Sequence, residues 1–161
     1  MSHLMRNEQF IGSCKYKKGG TPCAFTLIRN LDLYNYFPDK LKDERFDRIK
    51  KQTQEYLLKY DLHKADYPRV GEKPNSNWFK FSYFRSSQGS VFHGLETLVE
   101  SGVETHPTIE KTLKYIGSLC IKNKTWRCSY YQKKWPLKLE GIGLSPWLSI
   151  RGLRIENANT D

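Results

Sequence analysis

A chain of 161 residues with 38% hydrophobic and 14% aromatic side chains can bury a core without staples, and that core is expected to lean on Phe, Tyr and Trp. Its 27 Lys and Arg against 17 Asp and Glu leave a formal charge of +10, which points to polyanionic partners. A disulfide scaffold and a membrane span are excluded: only four cysteines are present, and no apolar run is long enough to cross a bilayer. With no signal peptide recognisable, a reducing cytosolic setting is expected.

The first twenty residues read as a partly flexible basic arm. Within KYKKGG at 15–20, Lys17 and Lys18 precede two glycines whose backbone could approach a phosphate, but the GxxxxGK[ST] pattern of a nucleotide-binding loop is missing. CAFTLIRNLDLY, from Cys23 to Tyr34, follows the turn signal GGTP and is rich in strand formers, so it predicts a strand. Pro38 and Asp39 then open a helix in which Phe46, Ile49, Thr53, Tyr56 and Tyr60 recur at helical spacing.

Two prolines and a glycine in 63–77 predict a short extended piece and a loop. The alternation of NSNWFKFSYFR at 75–85 predicts a strand from Trp78 to Phe84, followed by a turn at SSQG. A second helix is expected over 90–101, capped by Ser90, striped by Val91, Leu95, Leu98 and Val99, and stopped at Gly102. A third begins near Pro107, with Ile109, Leu113, Ile116 and Cys120 on one side. Beyond it, short alternating stretches broken by Gly and Pro predict two or three strands and a frayed tail at 157–161.

These elements predict one α+β domain over residues 1–161, with a mainly antiparallel sheet and two or three helices. The order strand, helix, extended piece, strand, helix matches most of a split βαβ, or ferredoxin-like, core with extra C-terminal strands. The closing N-L of TLIRNL at 26–31 resembles the first-strand motif of the RNA-recognition motif family. The spacing of Phe79, Phe81 and Phe84 is similar to its third-strand motif, although Leu27 and Trp78 replace an aromatic and a glycine. That resemblance implies aromatics that stack on bases.

The functional expectation rests on charge and rings together. From Lys111 to Leu139 there is no acidic residue. Within that window KNKTWRCSYYQKKW, residues 122–135, interleaves Lys122, Lys124, Arg127, Lys133 and Lys134 with Trp126, Tyr130, Tyr131 and Trp135. Cations neutralise phosphates and flat rings stack on bases whatever their sequence, so this stretch is the first candidate for contact with RNA or single-stranded DNA. Trp78 and Lys80 form a second candidate platform, because alternation places them on one strand face with Phe84.

Two other functional classes fit the same residues. A small nuclease or ribonuclease toxin would need converging groups such as Glu96, Glu100, Glu104 and Glu110, whereas His93, inside an apolar helix, reads as a packing histidine. An interaction protein of a phage or other mobile element would use its basic face to dock an acidic protein or one already holding nucleic acid. Cys14, Cys23, Cys120 and Cys128 lack the tight CxxC knuckles of structural zinc sites, so neither metal nor cofactor is expected.

Overall fold

The computed structural model describes residues 22–68, 73–85, 89–103, 105–121, 124–129 and 143–158. Among these the fold is mostly helical, with five α-helices and one two-stranded antiparallel sheet, and this overturns the sheet-based, ferredoxin-like expectation.

The segment expected as the first strand is helix α1, Ala24–Tyr36. Its buried residues Ala24, Leu27, Ile28, Leu31 and Tyr34 recur every three or four positions, a helical period that outweighs the strand-forming composition. Pro38 and Asp39 belong to a separate 3-10 turn at Asp39–Leu41. Helix α2, Glu44–Leu58, starts one turn later. There the Asp43 carboxylate accepts hydrogen bonds from the backbone N–H of Arg45 and Phe46 at 3.0 and 3.1 Å.

Trp78 to Phe84 is not a strand. Trp78 lies in a 3-10 turn, Ser76–Phe79, capped by the Asn75 side chain, and residues 80–85 run on without a ladder partner among the described residues. That segment is held at Ser129, whose N–H donates to the Phe81 carbonyl at 2.8 Å and whose Oγ accepts the Phe81 N–H at 2.9 Å, and by Arg151, which donates to the Ser82 carbonyl at 2.9 Å. With both of its expected strands absent, the resemblance to the RNA-recognition motif family loses its structural basis.

Helix α3, Val91–Glu100, is capped by Ser90 Oγ and ends before Gly102, whose φ of +87° glycine adopts without strain. Helix α4, Pro107–Ser118, buries Ile109 and Ile116, with His106 Nδ1 accepting the Thr108 N–H. Among the described residues of the C-terminal third, β1, Trp126–Cys128, and β2, Gly143–Ser145, pair antiparallel before a fifth helix, α5, Pro146–Asn157. Pro146 sits where a helix tolerates proline, at its first position, and Gly152 is a packing residue rather than a breaker.

Helices α1, α3 and α5 form a row, with α2 against α1 and α4 against α3. Central in that row, α3 is buried continuously from Val91 to Leu98. Aromatic residues fill the layer around it. Trp78 meets Phe25 and Tyr67 edge-on at 5.2 and 4.9 Å, and Trp126 meets Phe92 at 6.3 Å. Both indoles donate to backbone carbonyls, Trp78 to Leu62 at 2.7 Å and Trp126 to Ile116 at 2.9 Å, so their polar edges are satisfied inside the core.

Candidate functional site

The sequence-predicted contact residues do not gather in one place. Trp78 and Trp126 are core residues, and no base reaches their rings in this fold. Lys80 is half-buried and donates to Asn77 Oδ1 at 2.9 Å. Lys124, at a left-handed turn position with φ of 54°, and Arg127 on β1 are exposed. Lys17, Lys18, Lys122, Tyr131, Lys133, Lys134 and Trp135 lie outside the described residues.

A different set of basic groups meets at one surface. Asp61 accepts from Lys64 at 3.0 Å and from Lys111 at 3.2 Å, linking the 3-10 turn Leu62–Lys64 to α4. Lys114, one turn along α4 from Lys111, is exposed on the same side. Between them the rings of His63 and Tyr115 lie 6.0 Å apart and half-buried. Asp61 serves two lysines here, beside two flat rings, while Asp66 acts on Lys64 and Glu110 is exposed next to Lys111. Lys111 and Lys114 fell inside the acid-free window of the sequence. Lys64 and His63 did not, because only the fold brings them beside α4.

Three acidic side chains, Asp32, Glu96 and Glu100, turn inward instead. Asp32 on α1 accepts from His93 Nε2 at 2.6 Å, Thr97 Oγ1 at 2.6 Å and Arg85 at 2.8 Å. Glu96 accepts from Arg151 Nε at 2.9 Å and from Arg85 Nε at 3.2 Å, and Arg85 also donates to Glu100. Arg85 lies over the Tyr36 ring and Arg151 over the Phe92 ring, at 5.4 and 5.2 Å from the centroids. This cluster joins α1, α3, α5 and the 80–85 segment.

Its chemistry is that of a strut. Burial alone would raise Asp32, but the His93 and Thr97 hydrogen bonds and the Arg85 charge hold it below the usual carboxylate range. Glu96 is likewise lowered, its burial outweighed by Arg151 and Arg85. Burial keeps His93 below its ordinary value, with Asp32 opposing and Arg85 and Arg29 adding to the effect. His93 is therefore neutral, protonated on Nε2, and its buried Nδ1 has no hydrogen-bond partner. A cleft of about 320 Å³ between α3 and α5 touches Glu96 and Glu100, but both carboxylates are already bound by arginine.

Two of the four carboxylates considered for a nuclease, Glu96 and Glu100, are thus engaged. Glu110 is exposed in the first turn of α4, and Glu104 lies outside the described residues. Among the described residues no disulfide joins Cys23, Cys120 and Cys128, and no three His, Cys, Asp or Glu converge as metal ligands would. Likewise, none of the helices there is long and apolar enough to cross a membrane. No family model, curated protein or solved structure matches the chain.

Proposed function

We propose that the chain binds nucleic acid, RNA or single-stranded DNA, and that α4 with the Leu62–Lys64 turn contributes part of the contact surface. The observation that carries this reading is the chain's formal charge of +10, with Lys64, Lys111, Lys114 and Arg127 exposed on its surface. Such a surplus of cations attracts a phosphate backbone, and the attraction weakens as salt competes.

The test is oligonucleotide affinity as a function of salt. Binding of an unstructured single strand is expected to fall steeply from low to physiological ionic strength. Replacing Lys111 and Lys114 together by Ala should reduce the slope of log affinity against log salt by about 1.4, two contacts at about 0.7 each. Affinity that is flat with salt would overturn the electrostatic reading. An unchanged slope in the double variant would move the contact away from α4.

A further inference from the structure

Between α1, α2 and the end of α3 lies a cavity of about 110 Å³, open on one side. Tyr34 and Asn35 of α1 line it, with Asp47 and Lys50 of α2, Lys42 just ahead of α2 and Glu100 of α3. Some of these groups are already engaged. Glu100 accepts from Arg85, and Lys42 donates to Asp39 at 2.7 Å. The Asn35 side chain donates to the Thr97 carbonyl at 3.1 Å, which leaves its Oδ1 without a donor among the described residues.

The others have no polar partner among the described residues. Lys50 is half-buried and forms no ion pair, and neither does Asp47, one turn ahead of it on α2. Tyr34 is 4% exposed, and its hydroxyl makes no hydrogen bond to any described residue. Its ring stands edge-on to Phe46 at 5.5 Å, and burial pushes the phenol up to about 12, so the hydroxyl remains a donor at neutral pH. A phenol this deeply buried ordinarily finds a hydrogen-bond partner.

We propose that this cavity binds a small zwitterion, a free α-amino acid with little or no side chain. Its carboxylate takes the Lys50 ammonium and the Tyr34 hydroxyl, and its ammonium takes the Asp47 carboxylate and Asn35 Oδ1. An anion alone fits less well, because Asp47 and Glu100 would face it, and a cation alone would face Lys42 and Lys50. A zwitterion answers both unpaired charges at once. Size sets an upper limit: a cavity of roughly 150 Å³ takes benzene, and one of about 110 Å³ suits glycine or alanine.

The full-length chain is titrated by calorimetry with L-alanine and, separately, with acetate, methylammonium and inorganic phosphate. Alanine is expected to give a saturable heat by millimolar concentration, and the three half-ligands to bind at least about tenfold more weakly. Tyr34→Phe, Lys50→Met and Asp47→Asn each remove one hydrogen bond to a charged group and should each weaken alanine binding about tenfold. Lys111→Ala with Lys114→Ala should leave it unchanged, which separates this cavity from any oligonucleotide site. No saturable heat with alanine, or alanine affinity that survives in the three cavity variants, would overturn the proposal. Acetate or phosphate binding as tightly as alanine would make this an anion site, methylammonium doing so a cation site, and either result overturns it too. Thermal melts supply a second check. Tyr34→Phe removes one unpaired oxygen and should melt no lower than the parent, whereas a lower melting temperature would mean that the hydroxyl is already bonded within the fold.

Discussion

Gly152 stands against the face of Trp126, where an added methyl would lie 2.5 to 2.8 Å from three ring carbons. Alanine is the better helix former by about 1 kcal/mol, yet overpacking in a filled core costs about 1 to 3 kcal/mol. The indole cannot yield easily, because its N–H is fixed on the Ile116 carbonyl. Gly152→Ala is therefore expected to destabilise the fold by about 1 to 2 kcal/mol, measured as a lower urea midpoint at constant slope. A midpoint at or above the parent's would mean that β1 shifts freely over α5.

The buried ion cluster gives acid sensitivity with two limbs. His93, Asp32 and Glu96 all have folded-state values below their ordinary ones, so each contributes stability that is present above its unfolded value and lost as pH falls. The first limb begins below pH 6.5, the ordinary histidine value, and the second below the ordinary carboxylate values of 3.8 and 4.5. Melting temperature should be level above neutrality, decline as His93 is forced to charge, and decline again in stronger acid. His93→Gln, which keeps a donor for Asp32, should flatten the first limb and spare the second. Thermal melts across pH check both, and a first limb that persists in the variant would assign it to another histidine.

At the scale of elements, the helix starts are set by particular side chains. Asp43 caps α2 with two hydrogen bonds, whereas Asp39 bonds Lys42 at an exposed 3-10 turn. Asp43→Ala should lower the denaturant midpoint and Asp39→Ala leave it nearly unchanged, as read from unfolding of the two variants. Equal costs would place the functional start of the helix at Asp39, as the sequence suggests.

The same scale shows what the residue pattern made legible. Helices α3 and α4 could be read with their caps, because Ser90, Gly102 and Pro107 act locally. Helix α1 was hidden, because a run of Phe, Thr, Leu and Ile reads as strand composition and its helical period shows only in which residues are buried. Helix α5 was hidden by Pro146 and Gly152, whose breaker reading fails when one is the first helical residue and the other faces an indole. The strand expected at 78–84 failed because alternation of large rings reports burial on two sides without requiring a ladder.

For the molecule as a whole, the candidate surface was less legible than the helices. Lys64 reaches Lys111 only through Asp61, a link spanning 50 residues. The ion cluster left one signal: His93, Glu96, Thr97 and Glu100 recur at three, four and seven positions on a helix whose other faces are apolar. A polar stripe on a central helix needs partners from elsewhere. Their identity, Asp32 before it and Arg85 and Arg151 around it, is fixed by tertiary packing alone.

Those partners are distant in the chain: Asp32 and His93 are separated by 61 residues, Asp32 and Thr97 by 65, and Glu96 and Arg151 by 55. Closing such loops is entropically unfavourable, and stripping water from the charges is favourable only when every partner is already in place. Contacts of this kind form late, after the helices have collapsed, and so they act on the rate of leaving the native state more than on the rate of reaching it. The cluster is thus a latch. Its contribution is measured in the lifetime of the folded molecule.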